Sequence, residues 1–234
     1  MNPLLRVENI KKTFTIHHLD KKLEAIQNVS FTLNKGDFLG VVGRSGSGKS
    51  TVLKLIYRSY LPEGGRILYD SERFGLVDLN KISERQMIYL RKYEIGYVSQ
   101  FLNAMPRTNA RELVEQSLLE MGEEELNAQQ LAEETLHHFG LAPSLWDAYP
   151  VTFSGGEKLR LNIARAVVKK PRLLLLDEPT ASLDKKSKLK VKDAIMKLKE
   201  RGTTLIGIFH DIEFMEGICD EVLQFEQFKA GVKK

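Results

Sequence analysis

The sequence predicts an α/β fold wound around a mostly parallel sheet, and three observations predict it. Short apolar runs alternate along the chain with stretches of helical periodicity. A glycine-rich turn at Gly43–Gly48 joins one such run to a helical stretch. Leu173–Leu176 is an unbroken apolar run, the pattern of a parallel strand covered on both faces.

The elements follow in order. LLRVENI, NVSFTL and DFLGVVG alternate apolar and polar positions and read as strands, with the charged IHHLDKKLEAI stretch as a loop or hairpin between the first two. A helix is expected from Lys49 to about Tyr60, a turn at LPEGG and a short strand at RILYD. From Lys81 to about Gly140 the pattern becomes helical and acidic, MGEEELNAQQLAEETLHHF being the clearest amphipathic stretch, interrupted by the strand EIGYVS. Further helices are expected from Gly155 to about Lys169 and from Lys186 to Glu200, and a buried strand at TTLIGIFHD. In the basic run KKSKLKVKDAIMKLKER, Leu189, Ile195 and Leu198 recur at helical spacing and mark a buried face opposite a solvated one.

Composition sets bounds. The chain has 234 residues, enough for one large domain, and no apolar run approaches the roughly 18 residues of a membrane helix. The net charge of +4 is too small to argue for nucleic acid, and none is expected as a partner. Cys219 is the single cysteine, so no internal disulfide is possible, and the first residues show no signal-peptide core; both point to the cytoplasm. Cys219 reads as a small buried residue, and His17, His18, His137 and His138 as solvated, since none has the spacing of a metal site.

Gly43-Arg44-Ser45-Gly46-Ser47-Gly48-Lys49-Ser50 has the P-loop pattern between a strand and a helix. Its glycines let backbone N–H groups converge on phosphate, and the following helix adds its positive end. Lys49 should reach the β- and γ-phosphates, Ser50 should offer its hydroxyl to Mg²⁺, and Thr51 should lie near the α-phosphate. Asp177 and Glu178 end the Leu173–Leu176 strand at the same sheet edge. Asp177 is expected to hold Mg²⁺ directly or through water, and Glu178 to polarise an attacking water. Kinases, GTPases and other P-loop enzymes share these parts.

Phe153-Ser154-Gly155-Gly156-Glu157 narrows the class, because it opens a helix just before the Asp177 strand with Ser154 placed as N-cap. With it the chain resembles the ATP-binding cassette (ABC) ATPases from about Leu5 to Phe225. The resemblance implies a RecA-like parallel core with an antiparallel β subdomain (1–100 and 166–234), a helical signature subdomain (101–165), and two ATP molecules held with Mg²⁺ between paired cassettes. It also implies roles for single residues. Gln100 resembles the Q-loop glutamine, which contacts Mg²⁺ and the attacking water; Ala181–Asp184 resembles the D-loop; His210 resembles the switch histidine at the γ-phosphate; and Phe14 resembles the adenine-stacking aromatic. Ser154, Gly155, Gly156 and Glu157 would meet the nucleotide of the opposite cassette, with Asp184 at the same interface.

A finer resemblance is to the PhnL group of the carbon–phosphorus lyase pathway, carried by Tyr97–Arg107, Tyr57–Pro62, Phe153–Glu157 and Gly207–Asp211. It implies a role in ribose 1-methylphosphonate 5-triphosphate synthesis, with lyase core subunits as partners and either a second copy of this chain or a PhnK-like cassette as the other half. The alternative is the motor of a membrane transporter of lipoprotein or efflux type, with a permease as partner. Lys158-Leu159-Arg160 departs from the glutamines that commonly follow the signature in the PhnL group.

Overall fold

A computed structural model describes residues 3–16, 21–99, 107–180, 183–209 and 212–225. Two sheets organise it. The strands β1 (Leu5–Ile16), β2 (Lys21–Leu33), β4 (Gly64–Ser71) and β5 (Gly75–Asp78) form an antiparallel sheet in the order β2-β1-β4-β5. The strands β3 (Phe38–Gly43), β6 (Ile95–Val98), β7 (Leu173–Leu176), β8 (Thr204–Ile208) and β9 (Glu221–Phe225) form a parallel sheet in the order β6-β7-β8-β3-β9. The charged stretch expected between the first two strands is largely strand: β1 runs to Ile16 and β2 begins at Lys21. Cross-strand pairing there overrides the low apolar content.

Helices cover both faces of the parallel sheet. One face carries α1 (Lys49–Ile56) and α2 (Glu84–Tyr93) together with the antiparallel sheet. The other carries α3 (Ala110–Leu119), α4 (Glu125–His138), α5 (Gly155–Val167), α6 (Lys185–Glu200) and the short α7 (Ile212–Met215). Strand periodicity divides the central residues between the two layers. Leu173 and Leu175 pack with Leu39, Val41 and Ile206 toward α1, whereas Leu174 and Leu176 pack with Phe38 and Leu205 toward α5 and α6. All four leucines are fully buried, which at about 1.5–3 kcal/mol each makes β7 a main anchor of both layers.

Helix starts are set locally. Ser83 with Gln86, Asn109 with Glu112, and Ser154 with Glu157 each form a complete capping box, and Asp184 caps α6 by accepting from the Ser187 N–H. In α6 the buried positions are Val191, Ala194, Ile195 and Leu198. Leu189 is 57% exposed, so it falls on the solvated face and not, as its spacing suggested, on the buried one. Arg111 ties the helical layer together through Glu115, Glu133 and Asp147.

The layers are joined by a buried charge. Glu94, between α2 and β6, accepts from the Ser71 hydroxyl (2.8 Å), the Glu72 N–H (3.2 Å) and Arg172 Nη1 (3.3 Å). Arg172 Nη1 also donates to the Asp70 carbonyl at 2.6 Å. One carboxylate thus holds the end of β4 to the start of β7. Glu94→Ala leaves the Arg172 cation and the Ser71 hydroxyl uncompensated and is expected to cost about 3 kcal/mol in urea unfolding. Lys81→Ala, at a pair whose lysine is 79% exposed, should leave the transition unmoved; equal losses in the two variants would refute the clamp.

Candidate functional site

The site lies at the carboxyl ends of the parallel strands, where open α/β sheets take their ligands. β3 and β7 flank β8, so the turn after β3 and the carboxylates after β7 face each other across the end of β8. The turn is shaped by glycine. Gly48 has φ +96° and caps α1, and a Cβ there would meet the Ala25 carbonyl oxygen at 2.3 Å. Only glycine fits that conformation and that approach together. Arg44, Ser45 and Gly46 form the exposed crest, while Ser47 and Lys49 are buried beneath it.

Lys49 Nζ donates to the carbonyls of Gly43 (2.8 Å) and Arg44 (2.9 Å), which folds the loop over its own side chain. Burial pushes the ammonium's pKa down, while Glu178 and Asp177 pull it up. Ser47 Oγ is buried without a hydrogen-bond partner, in the middle of a loop of the kind that binds phosphate. Ser50 Oγ donates to Asp177 Oδ1 at 2.7 Å, and Thr51 follows it in the first turn of α1. The Asp177 N–H donates to the Val98 carbonyl at 2.9 Å, which fixes the end of β7 against β6.

Glu178 adopts φ +53°, the left-handed region that a non-glycine residue occupies at a cost of about 1–2 kcal/mol. It directly follows Asp177, so the left-handed turn falls at the second of the two carboxylate residues. Phe209, the last described residue of the β8 segment, donates its N–H to the Val41 carbonyl at 3.2 Å. His210 itself lies outside the described residues, as do Gln100, the 101–106 segment, Ala181, Ser182, His17 and His18.

The serine–glycine–glycine turn builds a second, separate surface. Ser154 Oγ and N–H both donate to Glu157 Oε2 at 2.8 Å, and Glu157 N–H returns a bond to Ser154 Oγ at 3.4 Å. A Cβ on Gly156 would lie 2.8 Å from Ser187 Oγ and one on Gly155 3.5 Å from Leu183, so the starts of α5 and α6 are packed together. Asp184 accepts from Ser187 N–H (3.0 Å) and Oγ (2.6 Å) at that junction. These side-chain bonds close among themselves, whereas those of Lys49 and Ser50 close on the phosphate loop and Asp177.

Phe14 is half-buried and meets Tyr60 edge to face, 5.2 Å between centroids, with Lys12 Nζ 5.4 Å from its ring. Tyr60 is a partner that the sequence reading passed over. So is Tyr97, whose hydroxyl donates to Asp177 Oδ2 at 2.6 Å. Burial, then that bond, pushes the Tyr97 phenol far above its ordinary pKa. His138 departs from its expected solvation: it is half-buried, its Nε2 has no partner, and burial with Arg201 and Lys197 nearby lowers its pKa. Cys219 is half-buried, and burial pushes its thiol up to about 12, as an inert thiol requires.

The donor set suits a hard divalent cation. Ser50 and Asp177 present a hydroxyl and a carboxylate within hydrogen-bonding distance of each other beside a phosphate loop. Among the described residues no three His, Cys, Asp or Glu side chains gather as a metal cage. A hydroxyl and one carboxylate are donors of the kind that magnesium takes when it keeps several waters and shares substrate phosphates.

Fold and site together define a P-loop nucleotide-binding cassette. Residues 26–181 match the ABC transporter family model, and the chain belongs to that family. It is 33% identical to the lipoprotein-releasing system ATP-binding protein LolD of Aquifex aeolicus, over 92% of this chain and 91% of that one. It is 33% identical to the methionine import ATP-binding protein MetN of Haemophilus influenzae (strain 86-028NP), over 96% of this chain and 63% of that one. Among solved structures it matches the dimeric post-hydrolysis state of the ATP-binding cassette MJ0796 bound to ADP and Pi, with a TM-score of 0.86, 28% identity, and coverage of 95% and 94%.

These relatives overturn the phosphonate expectation, since they serve lipoprotein release and methionine import and not carbon–phosphorus lyase chemistry. The structure explains how the PhnL resemblance misled. Phe153 is a core residue, Tyr57 ends α1, and Gly207 makes room for the Phe209 ring, which a Cβ would meet at 2.4 Å. All three have packing roles in this chain. The most distinctive part of the resemblance, residues 100–106, lies outside the described residues.

The capping box yields a pH prediction. The Ser154 hydroxyl and N–H hold the Glu157 carboxyl below its usual range. Its contribution is therefore complete above the ordinary glutamate pKa of about 4.3 and is lost as pH falls through the lower folded value. Ser154→Ala should cost about 1 kcal/mol at neutral pH and make the decline of stability in acid shallower. Thermal unfolding between neutral and acid pH checks this; identical acid limbs in variant and parent would refute it.

Proposed function

We propose that this chain binds and hydrolyses Mg-ATP between two cassettes and that their closing and opening drives a membrane transporter of the lipoprotein-release or efflux type. One observation carries the reading: the phosphate loop with Asp177, and the Ser154–Glu157 helix start, are two separately organised surfaces on one chain. Each is half of a nucleotide site, so a complete site needs a second cassette, which is either another copy or a related chain. The solved dimer with ADP and Pi supports the pairing. The LolD relative, matched over nearly its whole length, supports the transport role. Among the described residues no helix is long and apolar enough to cross a membrane, so a permease would supply the spanning part and hold the cassette at the membrane surface.

In this reading Gly43–Lys49 cradle the phosphates with backbone N–H groups, Ser47 gains a partner for its hydroxyl, and Lys49 exchanges its two carbonyls for phosphate oxygens. Ser50 and Asp177, with Gln100 as a further ligand, would hold magnesium, which would supply charge neutralisation for the transferring phosphoryl group. Glu178 accepts a proton from the attacking water, and His210 contacts the γ-phosphate. Phe14 lies against adenine and Thr51 by the α-phosphate. Ser154, Gly155 and Gly156 point the start of α5 at the partner's nucleotide. Glu157 and Asp184 hold the two helix starts in shape at that interface. The 1–100 and 166–234 segments serve as the nucleotide core and 101–165 as the arm that carries the signature.

Lys49→Ala is expected to abolish nucleotide binding, measured with a fluorescent ATP analogue. Glu178→Gln should bind ATP, hydrolyse it at least about a hundredfold more slowly, and accumulate as a dimer in Mg-ATP by light scattering. Normal turnover by that variant would remove Glu178 from the base role. Tagged Glu178→Gln protein isolated from native membranes with Mg-ATP should retain an integral membrane permease. Retention of soluble proteins alone would sink the transporter reading while leaving the ATPase intact.

A further inference from the structure

Tyr97 opens the stretch that leads to Gln100 but was given no role of its own, yet its hydroxyl bonds the carboxylate that the reading above assigns to magnesium. We infer that Tyr97 is a positioning residue for Asp177: it engages Oδ2 and so leaves Oδ1, the oxygen on the Ser50 side, to meet the metal. The inference rests on the Mg-ATP reading and adds to it a residue that acts through another.

Several constraints hold the tyrosine in this role. β6 pairs in parallel with β7, Tyr97 opposite Leu175, and the Asp177 N–H bonds the Val98 carbonyl, so the backbones bearing the two groups are locked together. The Tyr97 ring packs on Tyr57, centroids 5.1 Å apart and planes inclined by 46°. Tyr57 ends α1, the helix that begins with Lys49 and Ser50. The Arg91 guanidinium lies 4.9 Å from the Tyr57 ring and donates to the carbonyls of Tyr57 (3.0 Å) and Arg58 (2.9 Å). The ring that carries the hydroxyl is therefore backed by the far end of the phosphate-loop helix.

The physical effect is pre-organisation. A carboxylate on a single strand end turns about its Cβ–Cγ bond, and that freedom is lost when it ligates an ion. Two hydroxyls, Ser50 on Oδ1 at 2.7 Å and Tyr97 on Oδ2 at 2.6 Å, fix its plane beforehand. When Ser50 turns its hydroxyl oxygen to the ion, the bond to Tyr97 is the one that remains. Groups that orient a metal ligand in this way contribute about ten- to a hundredfold to metal affinity.

Tyr97→Phe removes the hydroxyl and keeps the ring. In the full-length protein, Mg²⁺ is titrated against binding of a fluorescent ATP analogue, and the same analogue is titrated in EDTA. The expected result is about a tenfold rise in the Mg²⁺ needed for half-maximal enhancement of binding, with unchanged affinity in EDTA. Excess Mg²⁺ should restore kcat. An Mg²⁺ requirement equal to wild type overturns the inference, and so does an equal loss of affinity in EDTA, which would assign the hydroxyl to the fold. Wild-type binding that ignores Mg²⁺ would instead overturn the Mg-ATP reading itself.

Discussion

The Asp177 carboxylate takes a hydroxyl on each oxygen, one from the phosphate-loop helix and one from the neighbouring strand, and much of the molecule exists to keep those three groups together. Its backbone is held by a strand with no exposed face, its first partner by a helix whose start only glycine can form, and its second by the register of a parallel pair. Electrostatics alone would not build this arrangement, because a carboxylate at a strand end is free to find water. Burial of β7 from both sides converts a solvated acid into a fixed element of a site.

The parts of the site that were legible in the sequence are those made by local physics. Gly48 at a left-handed N-cap, the capping partners Ser154 and Glu157, and the four-leucine run are short-range patterns whose cause lies within a few residues. Tyr97 was not legible, since in EIGYVS it reads as one more alternating strand residue. Only the pairing of β6 with β7, from distant parts of the chain, aims its hydroxyl at Asp177. Leu189 and His138 departed in opposite directions, the leucine exposed and the histidine half-buried, because spacing along the chain does not say what packs against a side chain. The short strands β5 and β9 left no distinct signal, because they are completed by partners and not by their own composition.

The phosphonate reading shows a different limit. Stretches such as Tyr57–Pro62 and Gly207–Asp211 look distinctive when read as strings, but where the structure describes them Tyr57 packs on Tyr97 and Gly207 makes room for the Phe209 ring. Likeness at such positions reports the fold. Specificity for one machine or another has to lie where the cassette meets its partner, and whole-chain relatedness to transport proteins weighs more than a few shared core residues.

β7 has a consequence of its own. Its odd-numbered leucines belong to the layer that backs the phosphate loop, and its even-numbered ones to the layer that carries the signature helix. A mutation on this strand is therefore sorted by parity. Truncation at Leu173 or Leu175 opens a cavity in the layer shared with α1, and truncation at Leu174 or Leu176 opens one in the layer shared with α5 and α6. Two adjacent positions with the same side chain and the same burial thus report on different halves of the core.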